Sequence, residues 1–68
     1  MAVTKIIELV GSSSSSSDEA VAAALAEARA SIRNIKAVDV VSLGLRGEDL
    51  SEWRAHVRVS FLVERVSE

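Results

Sequence analysis

From residue 52 to residue 64 apolar and polar side chains alternate. Trp53, Ala55, Val57, Val59, Phe61 and Val63 are apolar. Glu52, Arg54, His56, Arg58, Ser60, Leu62 and Glu64 stand between them, and all but Leu62 are polar. A period of two predicts a strand with one face buried and the other in water. The β-branched valines and the two aromatics suit such a pleated surface. Extended over its whole length, the stretch would span about 40 Å, roughly twice the usual strand. One helix of a short chain covers such a strip poorly, so other copies of the chain are expected to cover part of it.

Upstream the period changes. Val21, Leu25, Ala28, Ile32 and Ile35 are spaced by 4, 3, 4 and 3 residues, which draws one apolar stripe on a helix. The spacing predicts a helix over Asp18 to Arg33. Seven alanines between Ala20 and Ala30 raise helix propensity and let other elements approach closely. Glu27, Arg29 and Arg33 mark its exposed side. Val3 to Val10 reads as a first strand ended by Gly11, with apolar and polar residues on both faces. Asn34, Ile35 and Lys36 leave the helix, and Ala37 to Leu45 reads as a second strand. Arg46 to Ser51, with Gly47, Glu48 and Asp49, reads as a turn short enough to pair the last two strands as an antiparallel hairpin. The order is β-α-β-β, an α+β chain with a small antiparallel sheet and one helix across its inner face.

Ser12 to Ser17 is a run of six serines. With structure on both sides and too few residues to separate domains, it reads as a strand-to-helix loop. Ser16 followed by Glu19 fits the capping box, and Asp18 and Glu19 complement the positive end of the helix dipole. An anion site at that helix start is disfavoured by the adjacent carboxylates and by the lack of a Gly-rich phosphate loop.

Composition sharpens the expectation of assembly. The 68 residues make one domain, residues 1–68, near the lower limit for a self-sufficient core. Small chains are commonly rescued by disulfides, a metal or oligomerisation. There is no cysteine and a single histidine, which leaves oligomerisation, and 49% apolar content supplies surface for it. Net charge is −2 with Lys and Arg scattered, so no footprint for nucleic acid is expected. Without a long apolar run or a charged leader segment, neither a membrane span nor a signal peptide is expected, and the chain reads as cytoplasmic.

Candidate chemistry is sparse, and no catalytic constellation stands out. His56 falls on the polar face of the last strand and reads as a surface or interface histidine. Asp39, Glu48, Asp49 and Glu52 could gather near the hairpin but lack the spacing of a calcium loop. Trp53 reads as a core or interface residue, with a stacking platform for a planar ligand as the alternative.

Element order and several local patterns resemble the dodecins, small flavin-binding proteins of bacteria and archaea. Lys5-Ile6-Ile7-Glu8-Leu9-Val10-Gly11-Ser12-Ser13 is similar to the family's first strand and turn. Glu19-Ala20-Val21 opens an alanine-rich helix, Val38-Asp39-Val40-Val41 lies in strand two, and Trp53-Arg54-Ala55-His56-Val57-Arg58-Val59-Ser60-Phe61 resembles the aromatic-rich third strand. The resemblance implies a three-stranded antiparallel sheet wrapped around one helix, and twelve copies forming a hollow homododecamer. It also implies non-enzymatic binding and storage of a small ligand, FMN or riboflavin. In the family a Trp early in strand two clamps the flavin and a Gln early in strand three bonds it. Here those positions are Ala37 and Arg54. Alanine has no ring to stack, and Arg donates hydrogen bonds but cannot accept them. The ligand-site candidates are therefore Ala37, Val38, Trp53, Arg54 and His56, with weak or absent flavin binding expected. The alternative is a flavin-free shell of the same kind that binds ions such as calcium or serves as a structural particle.

Overall fold

A computed structural model describes residues 3–63. The elements are β1 (Val3–Ser13), α1 (Ser17–Ser31), β2 (Ile35–Arg46) and β3 (Glu52–Val63). The order is the expected β-α-β-β. The sheet is antiparallel in the order β1-β3-β2, so the alternating strand is central and pairs on both edges. Glu64, the last residue of the predicted strand, lies outside the described residues.

Alternation in β3 survives as drawn. Ala55, Val57 and Val59 are fully buried against the helix, while Arg54 and Arg58 on the opposite face are exposed. Trp53 and Phe61, near the two ends of the same inner row, are half-buried.

Gly11 does not end β1. It sits inside the strand opposite Ala55 and is buried. A Cβ there would overlap the Ala20 carbonyl oxygen and come within 2.8 Å of the Ala24 nitrogen. The glycine thus serves close approach of helix to sheet. Ser12 and Ser13 continue the strand by pairing with Arg54 and Trp53, so the serine loop shrinks to residues 14–16. Ser16 is the N-cap, its side chain accepting from the Glu19 N–H at 3.1 Å, while its own N–H donates to the Ser13 hydroxyl at 3.4 Å, so one half of the predicted capping box forms.

The helix is shorter than the predicted Asp18–Arg33. It ends at Ser31; Ile32 is already extended, and its N–H still donates to the Ala28 carbonyl at 2.8 Å. Asn34 follows at φ 62°, a left-handed turn that asparagine tolerates, and β2 starts at Ile35. The buried line of the helix is Ala20, Ala24 and Ala28. It is offset by one position from the Val21–Leu25 part of the predicted stripe, because the close approach at Gly11 leaves room only for methyl groups. Val21 and Ile32 flank that line and pack on the core from its sides.

The β2–β3 hairpin closes over Gly47 (φ 96°) and Leu50 (φ 55°), with the Leu50 N–H donating to the Gly47 carbonyl at 3.1 Å. β2 pairs with β3 in three registers separated by two shifts. The shifts fall between Ile35 and Ala37 and between Val40 and Ser42, so Lys36 and Val41 are extra residues, each a β-bulge.

Among the described residues the enclosed core consists of Ala20, Ala24, Ala28, Ala55, Val57 and Val59, with no buried side chain larger than valine. The chain measures 55 × 19 × 15 Å and has a radius of gyration of 14.3 Å. A compact chain of this length would have about 11 Å. Among the described residues no helix is long and apolar enough to cross a membrane.

Candidate functional site

Residues paired across an antiparallel ladder share a face, so the register assigns every strand side chain. The rows facing away from the helix run Ile6–Ser60–Ala37, Glu8–Arg58–Asp39, Val10–His56–Ser42 and Ser12–Arg54–Gly44 across β1, β3 and β2. The Arg46–Glu52 pair continues this face at the hairpin end. Ala37, Arg54 and His56 therefore lie on the outer face, Arg54 with His56 and Arg58 as the alternation predicts. Val38 pairs with Val59, and Trp53 with Leu45 and Ser13, on the inner face; both pack against the core. The five candidates do not converge within one protomer. Ala37 sits opposite Ser60, six residues from Arg54 and so about 20 Å from it along the strand.

What does converge is a pocket of about 250 Å³ on the outer face, lined by Val10, Ser42, Leu43, Gly44, Arg46, Arg54 and His56. Two candidates, Arg54 and His56, belong to it. Ser42, Gly44 and Arg46 were not legible as their partners. Counted by twos from Val38, all three would point to the helix side; the bulge at Val41 turns them outward.

Charges around the pocket are organised on the β3 side. Arg54 Nε donates to Glu52 Oε2 at 2.8 Å. His56 Nε2 lies 2.9 Å from Glu8 Oε1, and Arg58 Nη2 donates to Glu8 Oε2 at 3.3 Å. The hydrogen bond with His56, and next that with Arg58, hold the Glu8 carboxyl below its ordinary value. Arg46 Nη1 donates to the Leu45 carbonyl at 2.9 Å. The hairpin carboxylates do not gather. Asp39 pairs with Arg58 far from the turn, while Asp49 accepts from the Ser51 hydroxyl at 2.7 Å, which lowers its pKa. Among the described residues no group of three or more His, Asp or Glu could hold a metal ion.

The sequence matches the Dodecin family model over residues 3–64. The chain belongs to the dodecin family. Among solved structures, this dodecin is similar to a protein from Thermus thermophilus at 34% identity. That match covers 97% of this chain and 100% of the other, with a TM-score of 0.85. It is similar at 26% identity to calcium dodecin from Mycobacterium tuberculosis, a calcium-chelating antigen with a calcium-binding site. There 97% of each chain is covered and the TM-score is 0.81. Dodecin from Streptomyces coelicolor shares the fold at a TM-score of 0.87 and 24% identity, over 96% of each chain. No curated protein matched the sequence. Ala37 is exposed and faces outward without a ring, and Arg54 offers donors alone.

Proposed function

We propose that this dodecin is the protomer of a hollow homododecamer that binds and stores a small ligand without turning it over. In this reading it works in the cytoplasm and partners with copies of itself, with neither nucleic acid nor membrane. The ligand site is completed between copies, with Arg54 and His56 at its centre and Ala37, Val38 and Trp53 contributed where protomers meet. The observation that carries the reading is the outer-face pocket at Arg54 and His56, on a protomer whose enclosed core is built from alanine and valine alone. FMN and riboflavin are the ligands of the class, and both are expected to bind weakly. Each lost aromatic stacking pair removes about 0.5–1.5 kcal/mol beyond area burial, and a pair of flavins would lose two between them.

Native mass spectrometry of freshly purified protein tests assembly and ligand together. Twelve subunits without bound flavin are expected. A monomer or dimer at micromolar concentration would sink the shell. Titration of riboflavin and FMN, followed by flavin fluorescence, tests the rest. Strong quenching at submicromolar concentration would overturn the weak-binding expectation. Ala37→Trp combined with Arg54→Gln should restore part of the affinity.

A second reading, a flavin-free shell that binds calcium, is favoured by the likeness to calcium dodecin. With no group of three or more His, Asp or Glu among the described residues, this reading sets the ion between copies, with carboxylates from more than one of them. Equilibrium dialysis against calcium tests it, with retained calcium at fixed stoichiometry as the supporting result.

A further inference from the structure

Resting on the ligand-binding reading, we infer that the pocket at Arg54 takes a compact phosphate-type anion, held between Arg46 and Arg54. Size is the first reason. At about 250 Å³ the pocket falls below the roughly 300–1,000 Å³ of sites that enclose drug-sized ligands. What one copy alone offers suits a headgroup better than a three-ring system.

Donor chemistry is the second. A guanidinium carries five N–H donors and no acceptor. Arg54 spends its Nε on Glu52, and Arg46 spends one Nη1 donor on the Leu45 carbonyl. Among the described residues the other donors of both have no partner and can serve one pocket, and a planar fork of this kind matches phosphate bidentately. The Ser42 hydroxyl lies on the same wall. Of the nearby carboxylates, Glu8 is engaged by His56 and Arg58 and Glu52 by Arg54. Two guanidinium groups facing one hollow repel each other, and an anion between them relieves that repulsion.

Backbone geometry is the third. Gly44 is the strand partner of Arg54. A Cβ added to it would lie 2.8 Å from Arg46 Nη1 and 3.6 Å from Arg46 Cζ. The Arg46 guanidinium therefore rests over the bare Cα of Gly44, next to Arg54, and any other residue at that position would displace it. The bulge at Val41 completes the arrangement by turning Arg46 to the Arg54 side of the sheet.

Inorganic phosphate and the phosphate end of a larger ligand share this chemistry. Equilibrium dialysis of radiolabelled inorganic phosphate into the assembled protein, at ionic strength fixed with sodium chloride, is the test. Saturable retention near one phosphate per protomer is expected. Arg46→Gln and Arg54→Gln should each weaken it about tenfold, the loss of one charge-assisted bidentate contact. Gly44→Val should weaken it while both arginines remain. FMN should displace the label and riboflavin should not. Displacement by FMN far more strongly than by unlabelled phosphate identifies a larger phosphorylated ligand, and equal displacement identifies the free anion. Retention unchanged in both arginine variants, or displacement by riboflavin, overturns the inference. So does absence of retention on a shell that native mass spectrometry shows intact, and that outcome leaves the storage reading standing.

Discussion

The two halves of the sheet's inner face are built from similar residues and fare differently. On the β1 side, Ile7 and Leu9 pack under the helix with Val57 and Val59 of the central strand. On the β2 side, Val40, Leu43 and Leu45 pair with the same central strand yet remain exposed. The outer face repeats the asymmetry. Glu8 ties β1 to His56 and Arg58 of β3, whereas among the described residues no ion pair joins β2 to β3. The protomer is half finished. One helix of fifteen residues, drawn onto β1 at Gly11, covers one half, while in the other it reaches only Ile35 and Val38 and, among the described residues, Val40, Leu43 and Leu45 are left without a cover. A second copy is the natural cover, because the bare half is as aliphatic as the covered one.

The largest effect is expected where the covered half is made. Gly11→Val places methyl groups into the Ala20 carbonyl and the Ala24 nitrogen, and backbone cannot give way as a side chain can. The loss should be about 3 kcal/mol or more, the upper range for overpacking. Most of the stability of so small a domain would go with it. Chemical denaturation measures it, and near-wild-type stability would mean the helix does not sit on β1.

Next comes a pair that separates the halves. Val57→Ala, in the covered half, should cost about 2 kcal/mol through lost burial and the residual cavity and leave the subunit count unchanged at protein concentrations well above the assembly threshold. Leu43→Asp, in the bare half, should abolish the shell and yield small species by light scattering, because a carboxylate buried at an interface is strongly disfavoured. Full-sized particles from Leu43→Asp would show that copies do not cover the β2 half.

Much of this was legible in the chain. The central strand, its faces, the N-cap at Ser16 and the β-α-β-β order all follow from periodicity and cap chemistry. Three features were hidden, each for a physical reason. Gly11 looks like a strand end because glycine usually punctuates; its role at a close approach depends on a helix that arrives only in three dimensions. Large apolar residues draw attention to Val21 and Leu25, but the residues nearest the sheet are the alanines one position away, selected by that same close approach. At Val41 a single extra residue reverses the faces of everything that follows in β2. No period-2 count foresees that, so Arg46 and Gly44 could not be placed beside Arg54, although Arg54 and His56 themselves were.

The smallest effect concerns what pins β1 on its outer side. Glu8 accepts from His56 and Arg58, and those bonds hold its carboxyl below the ordinary value of 4.5. A carboxylate whose pKa is depressed by folding adds stability that is fully present above its unfolded pKa. That stability is lost as pH falls through the folded pKa. The loss should therefore begin below about pH 4.5 and continue into more acid solution. Glu8→Gln removes the titration while keeping the side chain's size, so its stability should fall less steeply over that acid range. Above that range the variant should be slightly less stable than wild type, because the ionic contact with Arg58 is gone. The exposure of all three side chains keeps the difference small, and added salt should shrink it further by screening. Denaturant midpoints for both proteins at a series of acid pH values, at low and high salt, measure it. Identical slopes would show that Glu8 contributes nothing to holding β1, leaving Gly11 and the helix as the whole difference between the two halves.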